Sequence, residues 1–94
     1  MKHYIIVKYN ETVTDKVALL EEIKELFGRT TQIEGIHEVN VYPCCIDRTN
    51  RYDVMIEIVM EKEALPIYDD CEWHHIWKRD YAKYLASKTI FDRE

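Results

Sequence analysis

Three stretches of the chain have the pattern of a β-strand. Hydrophobic and polar residues alternate in the second and third, whereas the first is largely apolar on both faces, which suggests a strand covered on two sides. The stretches cover residues 3–9, residues 36–45 with an end near Pro43, and residues 52–61. Side chains of a strand point alternately to the two faces of a sheet. In the third stretch one face is wholly apolar, which predicts a strand packed against a core. A short strand at residues 89–91 closes the chain.

Apolar residues at three- and four-residue spacing predict helices between these strands. The first follows Thr14, which we expect to cap it, and buries Leu19, Ile23 and Phe27. Gly28 stands where a left-handed C-terminal cap is expected. A short helical turn is predicted at residues 64–68 and a longer helix at residues 72–86.

The order strand, helix, strand, strand, helix, strand predicts an α+β fold. It indicates a ferredoxin-like βαββαβ sandwich, with both helices on one face of the sheet. A chain of 94 residues has room for a single domain, residues 1–94. The other face of the third strand carries Met55, Glu57 and Val59. Because this mixture suits neither open water nor a dry core, it predicts the interface of a homodimer.

Charge and cysteine content narrow the functional classes. The net charge is −5 and the basic residues are scattered, which argues against binding to nucleic acid or to an anionic membrane surface. No apolar stretch approaches the length of a membrane-spanning helix. Three cysteines form no disulfide framework, so we expect reduced thiols packed as small hydrophobic residues in a cytoplasmic protein. No metal-ligand spacing and no cofactor motif is recognised.

Two histidines, His74 and His3, are candidates for acid–base chemistry. On the last predicted helix Trp73, Trp77, Tyr81 and Tyr84 form one stripe, with His74 on its flank and His75 directed to solvent. One interpretation of His74 is a boundary residue satisfied by a nearby carbonyl. The other is a proton acceptor at a pocket between helix and sheet.

A set of polar groups would then ring one end of an apolar pocket. His3 shares a strand face with Ile5, and together with His74, Tyr68 and Asp92 it could act on a small apolar carbonyl compound. An imidazole can take up a proton and a phenol can polarise a carbonyl. The residues predicted to line the pocket are Ile5, Val7, Val54, Ile56, Trp77 and Tyr81.

Three segments resemble the stress-responsive dimeric α/β-barrel (Dabb) family. They are the opening residues 2–9 with the helix start at Val13-Thr14, residues 68–74 from Tyr68 to His74, and residues 87–92. The resemblance implies a homodimer whose two sheets close a barrel. It also implies a likeness to the family's plant polyketide cyclases, olivetolic acid cyclase among them. By that likeness His74 is the general base, Tyr68 binds the carbonyl, His3 supports the site and Asp92 orients His74.

The sequence departs from the cyclase pattern at three places. Cys71 replaces a histidine, Glu72-Trp73 replaces a small apolar pair, and Val54 stands where the cyclase has a pocket histidine. Three functions therefore stay open: a Dabb-type barrel of unassigned reaction, a cofactor-free cyclase or lyase, and a haem-degrading monooxygenase. The last would use Trp73 and His74 opposite an asparagine of the first strand, but Asn10 lies past that strand's end.

Overall fold

Four antiparallel strands form a single sheet in the order β2-β3-β1-β4 in the computed structural model, which describes residues 1–94. This order and the sequence of elements confirm the ferredoxin-like α+β fold. The elements are β1 (Lys2–Tyr9), α1 (Lys16–Gly28), β2 (Ile36–Pro43), β3 (Val54–Met60), α2 (Leu65–Asp69), α3 (Glu72–Ile76) and β4 (Leu85–Arg93).

The core lies between the helices and one face of the sheet. Every second residue of β1, from His3 to Tyr9, is buried there. The register pairs Ile5 with Ile56 and Val7 with Val54, so the two central strands present a continuous apolar surface. Helix α1 covers it with Leu19, Ile23, Leu26 and Phe27.

Both predicted caps of the first helix are wrong. The cap at its start is Asp15, whose Oδ1 accepts a hydrogen bond from the Ala18 amide at 3.0 Å, while Thr14 lies one residue too early. At its end Gly28 is helical with φ −58°, because the chain continues into a 3₁₀ turn, Arg29–Gln32. The glycine that uses a left-handed conformation is Gly35, with φ 93°, at the entry to β2.

The long last helix was predicted wrongly as well. Regular α-helix ends at Ile76, a π-helical turn spans Trp77–Tyr81, and a 3₁₀ turn leads into β4. The strand therefore covers nine residues instead of three. Its residues are mostly exposed, so they show little hydrophobic alternation, and pairing with β1 decides their conformation.

The second face of the sheet has no covering layer. Apart from Glu57, the residues of β1 and β3 on this face are only partly buried, and edge-strand side chains such as Phe91, 58% exposed, lie on it. Its larger apolar residues are Tyr4, Ile6, Tyr42, Met55, Val59 and Phe91. Glu57 lies among them, and its carboxylate accepts hydrogen bonds from the Tyr4 hydroxyl (2.8 Å) and the Asn40 side chain (3.0 Å).

The cysteines differ from the expectation of packed thiols. Cys44 and Cys45 are exposed in the loop after β2, and only Cys71 packs partly against the core. That loop is rich in charged and polar residues, so it lies at the surface. No helix has the length and apolar character that crossing a membrane would require.

The two glycines provide a matched test of backbone conformation. We expect Gly35→Ala to lower the free energy of unfolding by about 1–2 kcal/mol, because an L-residue is strained in the left-handed region. Its new Cβ would also lie 3.0 Å from the Cβ of Ala64. Gly28→Ala meets nothing within 4 Å and should stabilise by about 0.5–1 kcal/mol. Urea denaturation measures both, and equal effects of the two substitutions would contradict this assignment.

Candidate functional site

A cleft of about 290 Å³ opens between the helical layer and the end of the sheet formed by β1 and β4. Two histidines, two lysines and one aspartate provide its polar groups, and four large apolar side chains form the rest. The lining residues are His3, Ile5, Leu65, Asp69, His74, Trp77, Lys78, Lys88 and Ile90. Such a mixed apolar cleft is typical of sites for small molecules.

The pairing of β1 with β4 places one of its polar groups. His3 lies directly opposite Asp92 in the register, so both side chains are on the covered face. The Nδ1 of His3 and Oδ1 of Asp92 are 2.5 Å apart. Since a carboxylate accepts, Nδ1 carries the proton, and Nε2 of His3 has no hydrogen-bond partner in the chain.

Tyr68, on α2, contacts both histidine rings. Its ring centroid lies 5.6 Å from that of His3 and 4.8 Å from that of His74. The residue is 0% exposed and its hydroxyl has no hydrogen-bond partner. Burial is the main reason that the pKa of this phenol is raised far above its usual value. The hydroxyl is therefore a neutral donor.

His74 lies on α3, in the helical layer beside the cleft. Cys71 caps this helix, with its Sγ accepting from the His74 amide at 3.4 Å. The ring Nδ1 of His74 lies 2.8 Å from the carbonyl oxygen of Asp69. A carbonyl can only accept, so Nδ1 is protonated and Nε2 presents a free lone pair. Partial burial lowers the pKa of His74, and the nearby Lys78 and Lys88 lower it further.

The structure brings the four predicted polar residues to one end of the molecule, but it corrects one partnership. Asp92 binds His3 and does not orient His74, because the register holds it opposite residue 3. The carbonyl of Asp69 is the group that holds His74. The catalytic roles themselves stay predictions.

Only part of the predicted lining faces this cleft. Ile5 and Trp77 form its wall. Val7 and Ile56 are 0% exposed and fill the core, where neighbours from the helices leave no free space. Val54 and Tyr81 line two other clefts, one beside the β2–β3 loop and one beside α1.

Five lining residues were not predicted: Leu65, Asp69, Lys78, Lys88 and Ile90. A signal existed for three of them. Lys78 follows His74 by four residues, and Ile90 and Lys88 precede Asp92 by two and four. Helical and strand periodicity places them on the faces of His74 and Asp92. No sequence signal marks Leu65 or the Asp69 carbonyl.

The residues do not fit the arrangement of a haem-degrading enzyme. Asn10 hydrogen-bonds the backbone carbonyl of Lys83, at the end of β1 away from His3 and the cleft. It is therefore remote from Trp73 and His74. No three side chains among His, Cys, Asp and Glu come together in a way that could hold a metal ion.

Comparisons with known proteins show which other proteins share this fold. No family model matches the sequence, and no curated protein matches it. Solved structures do match along nearly the whole chain. A dimeric ferredoxin-like protein of unknown function from Bacteroides fragilis has a TM-score of 0.79 at 16% identity and covers 99% of this chain and 93% of its own.

Two further structures are informative. A Dabb family protein from Mesorhizobium loti has a TM-score of 0.66 at 14% identity, covering 99% of this chain and 93% of its own. The chain has the fold of the Dabb proteins. A hydroxynitrile lyase from Passiflora edulis has a TM-score of 0.75 at 9% identity, covering 96% of this chain and 87% of its own. At these identities the likeness establishes the fold.

The two lysines of the cleft provide a test of its electrostatics. We expect the double substitution Lys78→Gln, Lys88→Gln to raise the pKa of His74 toward its ordinary value, because two positive charges that disfavour the imidazolium are removed. An NMR titration of the His74 ring measures this. Lys24→Gln, on the outer side of α1 beside Glu21, is the control and should leave the titration unchanged. An unchanged titration in the double variant would show that the lysines lie too far from the ring.

Proposed function

We propose that the protein is a homodimer of single Dabb-type domains spanning residues 1–94 and that each subunit binds a small carbonyl compound in the cleft. We further propose a cofactor-free reaction in which His74 is the general base. The observation that carries this proposal is the hydrogen bond from Nδ1 of His74 to the Asp69 carbonyl, which leaves Nε2 unprotonated at the cleft. The free thiols accord with a cytoplasmic location.

The chemistry follows from the properties of this imidazole. Its lowered pKa keeps Nε2 available at neutral pH, so it can remove a proton from the carbon beside a carbonyl or from a hydroxyl. In a cyclisation the carbanion attacks a second carbonyl of the same molecule, and the imidazolium returns its proton to the new alkoxide. In a lyase reaction deprotonation of a hydroxyl forms a carbonyl and expels a carbanion, which takes up the proton. Neither reaction needs a redox cofactor.

Two other residues have supporting roles in this proposal. His3, fixed by Asp92, places a second free imidazole nitrogen at the cleft. The unpaired hydroxyl of Tyr68 is the donor for the substrate's carbonyl oxygen. Because this hydroxyl is sealed from solvent, it can meet a substrate only when binding opens the layer between it and the cleft. The hydroxynitrile lyase of the same fold supports the lyase version.

A second candidate is a binding protein without catalysis. It is favoured by the interior packing, since Trp77 packs edge-to-face against Phe27, with ring centroids 5.0 Å apart, and fills the space behind the cleft. Trp73, in contrast, turns into the neighbouring cleft beside α1 and leaves the site open. The two candidates differ in whether proton transfer from a bound ketone is accelerated.

Deuterium exchange tests the general base without knowledge of the natural substrate. We expect the protein to accelerate exchange of the methyl protons of acetophenone in D₂O, followed by proton NMR. His74→Gln should reduce the acceleration by a factor on the order of 100. The exchange rate should rise with pH to a plateau, with a midpoint below the ordinary histidine value of 6.5.

The neighbouring histidine is the matched control. His75 is exposed, near Asp70 and outside the cleft, so His75→Gln should keep the full acceleration. If acetophenone shifts the His74 resonances and no exchange is accelerated, the binding protein is the correct interpretation. An equal loss in both variants would reject His74 as the base.

The uncovered sheet face carries the proposal of a homodimer. It presents six large apolar side chains around Glu57, whose charge is already satisfied within the subunit. Hydrogen bonds from Asn40 and Tyr4 lower the pKa of Glu57, so a partner can cover the carboxylate without leaving it unpaired. The Bacteroides and Mesorhizobium structures have the same fold, and the former is dimeric.

A charge on this face should separate the subunits. We expect Phe91→Glu to shift the protein to a monomer in sedimentation at micromolar concentration, because two copies would bury like charges in one interface. Val17→Glu is the control: Val17 is 75% exposed on α1, on the helical side of the molecule. Neither substitution removes core packing. A wild-type monomer, or a dimer sensitive only to the α1 substitution, would reject this interface.

A further inference from the structure

We infer that the ligand of the His74 cleft is a small oxo acid, whose carboxylate is bound by Lys78 and Lys88 while its ketone faces His74. This inference rests on the proposed function and adds the substrate class. It is based on the interactions that the lysine side chains make within the chain, and on the two lysines that make none.

Six of the eight lysines have a partner within the chain. Ion pairs with carboxylates are formed by Lys2, Lys16, Lys24 and Lys62. Lys8 donates hydrogen bonds to backbone carbonyls, and Lys83 lies over a tyrosine ring. The two without an ion pair, hydrogen bond or aromatic partner are Lys78 and Lys88. Both line the same cleft. In an acidic chain with 18 carboxylate residues, this coincidence is the feature to be explained.

The two lysines approach the cleft from different layers. Lys78 lies on the π-helical turn, one turn after His74, and Lys88 lies on β4 opposite Val7, on the covered face. A carboxylate between them would receive charge-assisted hydrogen bonds from two sides. Ile5, Leu65, Trp77 and Ile90 provide an apolar wall for the rest of a small molecule.

The other charges at the cleft limit the kind of anion. Asp69 also lines it and opposes a second negative charge, whereas Asp92, hydrogen-bonded to His3, is not one of the lining residues. Among the lining residues, two lysines against one carboxylate leave an excess of one positive charge, which matches a monoanion. An oxo acid meets this requirement and supplies the carbonyl that a general base needs.

A pair of matched ketones tests the inference. The probes are 3-benzoylpropionate and its uncharged amide, which differ only at the terminal group. We expect the carboxylate to bind about tenfold more tightly than the amide, as measured by titrating the His74 ring resonances at low salt. The ratio should fall toward one in the Lys78→Gln, Lys88→Gln variant and at high salt, and it should persist in Lys24→Gln. Bound carboxylate should also raise the pKa of His74, because it offsets the two positive charges.

The outcomes separate this inference from the proposed function. If both probes shift His74 with equal affinity and acetophenone exchange is accelerated, the general base stands and the carboxylate preference is rejected. If the preference is present in the double variant, the lysines are not its source, and the inference is likewise overturned. If neither probe shifts His74 and no exchange is accelerated, the proposed function fails, and the inference with it.

Discussion

The antiparallel pairing of β1 with β4 is the constraint on which the candidate site depends. It brings the two ends of the chain together, so that His3 lies opposite Asp92 and Ile5 opposite Ile90. A slip of one residue would turn Asp92, Ile90 and Lys88 to the other face of the sheet and leave His3 without its carboxylate. The same pairing forms β4 from a segment with little hydrophobic alternation. One set of backbone hydrogen bonds thus determines both the last strand and one wall of the cleft.

Behind that wall the core contains a tyrosine, Tyr68, whose hydroxyl has no hydrogen-bond partner. Tyr68 is fully buried against both histidine rings, and its hydroxyl donates to nothing. An unpaired buried hydroxyl costs about 1–3 kcal/mol. A phenylalanine would fill the same space without that cost. The Tyr68 ring packs against two imidazoles with free nitrogens, so we expect its hydroxyl to serve in binding, a role that the packing of the core does not require.

The charged side chains on the two sides of the sheet differ in whether they have partners within the subunit. On the open face Glu57 finds its hydrogen-bond donors within the subunit, so that face is prepared to be covered. At the cleft, on the helical side, Lys78 and Lys88 find no partner. A charge that already has hydrogen-bond partners within the subunit can be covered permanently by a second subunit. A charge without a partner favours a ligand that carries the opposite charge. The sheet therefore separates the proposed dimer interface from the proposed ligand site.

Periodicity in the sequence determined the order of elements, the covered face of β1 and β3 and the placement of His74 at a boundary. These follow from local rules, because side chains of a strand alternate and a buried face must be apolar. Tertiary structure decided what local rules cannot: the extent of β4, the π-helical turn after Ile76, the partnership of Asp92 with His3 and the Asp69 carbonyl that holds His74. The extent of β4 and the pairing of Asp92 with His3 depend on strand register, which is set only when distant segments meet. The turn after Ile76 and the Asp69 carbonyl are features of backbone geometry, which the periodicity of side chains does not encode.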